Sequence, residues 1–178
     1  MENDSKKYLE FIKSRRSIRN FIHSKIQRDT ILQILECGQF SPSGRNNQPW
    51  RVNIVIHPTV KRMLGDLTTS GNIIESAYLN FVIFLDLEKV YDRVKDIQSI
   101  GAFMENILLG IHAMNLGGVW IGEILKNKEQ VNEIFKLSTA KFELMGVIAV
   151  GEIDKEIIKL KGESPRERRP LDDFIDWY

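Results

Sequence analysis

Apolar positions along the chain change period several times, and each change marks an element. From Ser5 to Ser14, Tyr8, Leu9, Phe11 and Ile12 recur at helical spacing, which predicts a first amphipathic helix. Asp29 or Thr30 is placed to cap a second helix carrying Ile31, Leu32, Ile34 and Leu35, with Gly38 positioned to end it. Gln39 to Trp50 then holds two prolines, a glycine and a run of amides, the composition of an ordered polar loop. Trp50, Val52, Ile54 and Ile56 alternate with Arg51, Asn53 and Val55 and read as a strand. His57-Pro58-Thr59 opens a short helix with Val60, Met63, Leu64 and Leu67 on one face, and Thr68 to Asn72 is a polar break. Leu79 to Leu85 is almost unbroken apolar sequence, the mark of a strand buried on both faces.

Around Ile97 the pattern becomes helical through Ile100, Phe103, Met104, Ile107, Leu108 and Ile111. A helix of about 19 residues, or ~28 Å at 1.5 Å per residue, would be the central one of the fold. Gly101, Ala102, Gly110 and Ala113 are small enough for another backbone to approach it. Glu105, Asn106, His112 and Asn115 interrupt it too often for a membrane span. Gly117-Gly118 is expected to stop it, followed by an extended Val119 to Gly122, a small helix from Glu129 to Phe135 and a last buried strand from Phe142 to Ile153. The resulting order predicts an α+β fold with a central mixed β-sheet flanked by helices. Residues 1–178 read as a single domain, with 154–178 as a charged C-terminal extension. That extension has too few apolar positions for a core of its own. Leu171, Phe174, Ile175 and Trp177 nevertheless call for a docking surface, and a second subunit is one natural answer.

Composition narrows the function classes. Lys plus Arg number 25 against 24 for Asp plus Glu, so a general nucleic-acid binder, which carries a basic excess, is disfavoured. The single cysteine, Cys37, forms no intramolecular disulfide and fits a reducing compartment. The polar N-terminus shows no secretory pattern, and the expected location is the cytoplasm. His23, His57 and His112 are scattered and no cysteine pair exists, so no zinc pattern is present. His112 reads as a hydrogen-bonded core residue and Cys37 as a small packed hydrophobe. Gly-x-Ser-x-Gly, Walker A and Gly-x-Gly-x-x-Gly motifs are missing, and with them the hydrolase, kinase and Rossmann readings.

Three polar islands remain. The first is Ser14-Arg15-Arg16-Ser17-Ile18-Arg19, three guanidiniums and two hydroxyls in six residues, suited to clasping a phosphate or carboxylate. A solvated basic helix end explains the same residues. The second is the Pro42 to Trp50 loop, whose amides can read the edge of a planar heterocycle; alternatively it is a structural loop with Trp50 anchoring the sheet. The third is Arg166 with Arg168, which alone would read as a solvated tail. Trp120 alone reads more readily as core than as a contact of a bound planar ring.

Taken together, Arg15-Arg16-Ser17-Ile18-Arg19, Ser41 to Trp50, Gly117 to Gly122 and Arg166-Glu167-Arg168-Arg169-Pro170-Leu171 resemble, in order, the motifs of the nitroreductase-like family of flavin mononucleotide (FMN) oxidoreductases. The resemblance implies an intertwined homodimer with a C-terminal tail reaching the partner subunit and two FMN sites at the interface. By that analogy Arg15, Arg16 and Ser17 hold the phosphate, Arg166 and Arg168 complete its clamp, and Arg19 lies near flavin N1. Pro42, Ser43, Gly44, Asn46 and Gln48 of the partner line the ring, backbone N–H groups around Gly122 and Glu123 face N5, and Asn72 reaches the pyrimidine edge. Many relatives carry a Glu-Gly step where this chain has Gly122-Glu123.

The implied activity is FMN-dependent NAD(P)H oxidation in two alternating half-reactions, passing hydride to an electron-poor small molecule such as a nitroaromatic or quinone. No catalytic side chain, no metal, no membrane and no nucleic acid are expected. Another flavin reaction on the same fold is the alternative: reductive dehalogenation, flavin fragmentation or dehydrogenation. A non-enzymatic anion or nucleic-acid binder ranks behind both.

Overall fold

The apolar run that predicts a doubly buried strand forms the centre of a five-stranded sheet. The computed structural model describes residues 2–161 and 167–178. Its elements run α1 (Glu2–Ser14), β1 (Phe21–Ile22), α2 (Arg28–Gln39), β2 (Trp50–Val55), α3 (Pro58–Gly65), α4 (Gly71–Ser76), β3 (Leu79–Asp86), α5 (Arg93–Ala113), β4 (Gly117–Ile121), α6 (Lys128–Ile134), β5 (Phe142–Ile153) and α7 (Lys155–Lys161). Short 3₁₀ turns sit at Gly44–Asn46, Glu123–Asn127 and Leu171–Asp173. The order across the sheet is β1-β5-β3-β2, with β4 also paired to β5. Every named pair is antiparallel. The mixed character of the sheet comes from one parallel bridge, Ser17 to Gly118, which attaches the arginine stretch to β4.

Helices cover both faces, so β3 presents apolar residues both ways. Phe81, Ile83 and Leu85 pack with Ile31 and Ile34 of α2 and Ile100, Met104, Ile107 and Ile111 of α5. Val82 and Phe84 pack with Leu64 of α3, Ile74 of α4 and Val131 of α6. Trp50 stacks on Phe103 at 4.8 Å, which confirms the anchoring role of that ring and is worth ~0.5–1.5 kcal/mol beyond its burial.

Several boundaries differ from the sequence reading, each for a physical reason. α2 starts two or three residues early, after Gln27 and with no side-chain cap, so neither Asp29 nor Thr30 caps it. Gly38 lies inside α2 rather than ending it. A Cβ there would come within 2.8 Å of Phe103 Cε2 and 2.9 Å of Ile107 Cγ1, so the glycine marks where α2 and α5 touch. Gly117 and Gly118 do not stop α5; it closes at Ala113, and both glycines belong to β4. The polar break after Leu67 contains the start of α4, held at its far end by buried Lys61, whose ammonium donates to Glu75 O (2.9 Å) and Ala77 O (2.6 Å). Burial lowers the Lys61 pKa, the charge of Glu75 partly opposing it. In β2, an edge strand, Ile54 and the following Ile56 stay exposed. No described helix is long and apolar enough to cross a membrane.

Candidate functional site

α1 ends where the arginine stretch begins. Ser14 Oγ donates to Phe11 O (2.8 Å), and its oxygen lies 2.8 Å from His112 Nε2 on α5. Phe11 stacks on the same imidazole at 4.9 Å, so His112 is the hydrogen-bonded packing residue expected. Arg15 Nε is 3.3 Å from Glu105 Oε1. Beyond it, Ile18 N donates to Gly118 O (3.0 Å) beside the Ser17 bridge. Arg19 Nη1 reaches Ser17 O at 3.5 Å. Ser14, Arg15, Arg16, Ile18, His112 and Gly118 contribute to the wall of a cavity of about 170 Å³. The basic stretch is thus seated on β4 and α5, not hanging in solvent.

Four residues further along, β4 runs into the turn at Gly122 and Glu123. At ~3.3 Å per strand residue, Gly118 and Gly122 are ~13 Å apart. The Glu123 carboxylate accepts from Thr68 Oγ1 (2.6 Å) and Thr69 N (3.0 Å) and pairs with Lys126. These donors, Lys126 first, hold its pKa at about 2. Glu123 therefore fastens the Thr68–Ser70 segment, which leads into α4 and Asn72, to the end of β4. Thr68, Thr69 and Lys126 were not singled out from sequence. The Glu123-to-Lys126 spacing of three residues was the available signal.

The amide-rich loop lies elsewhere. Pro42, Ser43 and Gly44 line a cavity of about 410 Å³ with Tyr91, Lys95 and Ser99, by the N-terminal half of α5. The loop is held in a strained shape, with Arg45, Asn46 and Gln48 at φ of 54°, 55° and 50°. Each such residue costs on the order of 1 kcal/mol, and strain of this kind clusters at functional sites. Gln48 N donates to Ser43 Oγ (3.1 Å), Asn47 Nδ2 to Lys89 O (2.6 Å), and the Arg45 guanidinium lies 4.8 Å over the Tyr91 ring. Ser99 and His112 are thirteen residues apart on α5, ~20 Å along its axis. Among the described residues the two cavities share no lining residue.

The structure thus joins the arginine stretch to β4 through Ser17 and Ile18 at Gly118, with Arg15 paired to Glu105 of α5, and ties the Gly122–Glu123 turn that follows β4 to the segment before Asn72. It keeps Pro42, Ser43, Gly44, Asn46 and Gln48 at the opposite end of α5. Arg168 is exposed, donating to Glu167 O (2.8 Å); Arg166 lies outside the described residues. Cys37 packs where a Cβ on Gly110 would touch its Sγ at 3.1 Å, in keeping with a small hydrophobe. No group of His, Cys, Asp or Glu that could hold a metal occurs among the described residues.

A family model, described as the nitroreductase family, matches residues 12–84 and 66–152. The chain belongs to the nitroreductase family. Among solved structures, an assigned nitroreductase of Desulfovibrio desulfuricans in complex with FMN is 34% identical, with a TM-score of 0.86 over 94% of each chain. An Archaeoglobus fulgidus protein assigned as NADH dehydrogenase/NAD(P)H nitroreductase is 32% identical over 116 residues, 64% of this chain and 66% of its own. An NADPH-dependent oxidoreductase of Staphylococcus haemolyticus is 25% identical over 92% of this chain and 70% of its own. The chain spans just under two thirds of the length of the archaeal relatives it matches. In this member of the nitroreductase family, the Ser17–Gly118 bridge holds the arginine stretch and the Glu123 clamp holds the turn after β4.

Proposed function

We propose that this chain is an FMN-dependent NAD(P)H oxidoreductase whose site is completed by a second copy. The observation that carries the reading is β4 itself. Its Gly118 end holds guanidiniums and a serine suited to a phosphate, and its Gly122 end, ~13 Å away, presents a small residue and backbone donors suited to a planar ring. The donor set fits FMN. Bound FMN supplies two-electron hydride chemistry at N5, between a nicotinamide and an electron-poor acceptor such as a nitroaromatic or a quinone.

Around that group the residues divide the work. Arg15, Arg16 and Ser17 bind the phosphate, with Arg168 returning from the tail of a subunit to the same charge. Arg19 places a cation at N1 and the C2 carbonyl, where reduction accumulates negative charge. Backbone N–H groups at Gly122 and Glu123 face N5, and Asn72 reaches the pyrimidine edge. Glu123, ionised and engaged on three sides, serves as a fastener and not as a proton donor.

Pro42, Ser43 and Gly44 line a cavity by the N-terminal half of α5, ~20 Å along the helix axis from the arginine cavity at His112, so one chain's loop does not face its own phosphate wall. A second copy, lying antiparallel along α5, brings its loop over the ring. Its docking surfaces are the apolar positions this chain leaves exposed: Tyr8, Leu9 and Ile12 on α1, Phe40 beside the loop, and Leu171, Phe174 and Trp177 on the tail.

The test is steady-state oxidation of NADH and of NADPH against a quinone and a nitroaromatic. Parallel double-reciprocal lines are expected, because both substrates use one site in turn. A flavin that neither nicotinamide reduces would instead favour dehalogenation, flavin fragmentation or dehydrogenation on this fold.

A further inference from the structure

β4 turns Val119 and Ile121 into the core on the α3, α4 and α6 face, so Trp120 between them faces the α5 side, beside its β5 partner Ile148. It does not join the core there: it is 40% exposed and belongs to neither core cluster, contrary to the sequence reading. Its seat is cut out of β5. Gly146 adopts φ 150°, strained for any residue with a side chain, and a Cβ there would come within 2.8 Å of Trp120 Nε1 and 2.9 Å of Met104 Cε. The β3–β5 register slips beside it, between Ile83 and Phe84. A Cβ on Gly122 would lie 3.9 Å from the same indole nitrogen. The Nε1–H therefore sits between two glycines, and no hydrogen bond from it is made among the described residues.

Indole rings are normally buried with their N–H paired. Here backbone geometry is committed to holding one partly open, donor unpaired, between the arginine end of β4 and the Gly122 turn. We propose that Trp120 is a contact residue of the flavin ring: its indole forms a wall against the isoalloxazine, seated by Gly146, and its N–H hydrogen-bonds an acceptor atom on the ring edge. This rests on the FMN reading above.

An indole in contact with an excited flavin quenches its emission by reversible electron transfer, an effect confined to near contact. The experiment is the fluorescence lifetime of stoichiometrically bound FMN in the wild-type protein, Trp120→Phe, Gly146→Ala and, as a control, Trp50→Phe. Wild type and Trp50→Phe should be nearly dark. Trp120→Phe should be several-fold brighter, and Gly146→Ala should brighten as its methyl displaces the indole. Should Gly146→Ala fail to fold, the exposed Trp120→Phe still decides. A wild type that binds FMN with the same lifetime as Trp120→Phe overturns this proposal alone. A wild type that takes up no FMN overturns the FMN reading and this one with it.

Discussion

Glu123 is where the sequence departs from the Glu-Gly step that the family resemblance leads one to expect, and its side chain is fully engaged within the fold. The carboxylate turns toward Thr68, Thr69 and Lys126, so under the proposed function only its backbone N–H would be offered to the flavin. Its pKa falls from 4.5 to about 2 in the folded chain. A carboxylate depressed in this way binds fewer protons folded than unfolded, so its stabilisation is complete above ~4.5 and lost as pH falls toward ~2. In denaturant melts, the stability gap between wild type and Glu123→Gln should be constant from pH 5.5 to 7 and shrink below pH ~4.5.

The proposed function divides the arginines by task. Arg15→Ala removes a charge-assisted phosphate contact of ~1.5–3 kcal/mol and should weaken FMN binding roughly tenfold to a hundredfold by titration. Arg19→Ala should instead lower the bound flavin's two-electron potential, on the order of 30 mV for each 1.4 kcal/mol of lost charge stabilisation. Equal effects of both substitutions on affinity and potential would mean the cluster is wrongly divided. The arginine cluster itself was legible, because residue type and spacing carry it. Its partners Gly118, Glu105 and His112 were not, since they lie about a hundred residues away and meet it only through the fold.

At the scale of elements, period and burial read well where helix and sheet both cover a segment. β3 and β5 appear almost where the apolar runs place them, β5 with the same limits. Signals of one residue were less secure. Gly38 was taken for a helix end, whereas its role is set by Phe103 and Ile107 of α5, which no local pattern contains. Gly38→Ala should therefore destabilise the protein by ~1–3 kcal/mol through overpacking, despite alanine's higher helix propensity. Thermal unfolding measures this directly, and a stabilised variant would mean that the α2–α5 contact yields freely. α4 and β1 escaped notice because six and two residues are too short to show a period. The loop from Ser43 to Gln48 was legible as a loop, but its run of left-handed residues was not: only Asn46 is of a type enriched there, and arginine and glutamine do not ordinarily announce that backbone.

For the whole molecule, the arginine cavity and the loop cavity stand at opposite ends of α5, and apolar side chains on α1 and the tail face solvent. Both facts are accounted for by one antiparallel pairing of two chains. Sedimentation equilibrium should give twice the chain mass of 20.6 kDa. Replacing Leu9 and Ile12 by aspartate should dissociate the pair and release FMN together with it. A monomer that still retains FMN would mean that one chain closes the site alone. The measurement that bears most directly on the central claim is the visible spectrum of the purified protein, loaded with FMN and mixed with NADH or NADPH without oxygen. The account predicts one flavin per chain and loss of its yellow band with at least one nicotinamide, reversed on adding a quinone or nitroaromatic. A colourless protein that fails to take up added FMN would contradict it.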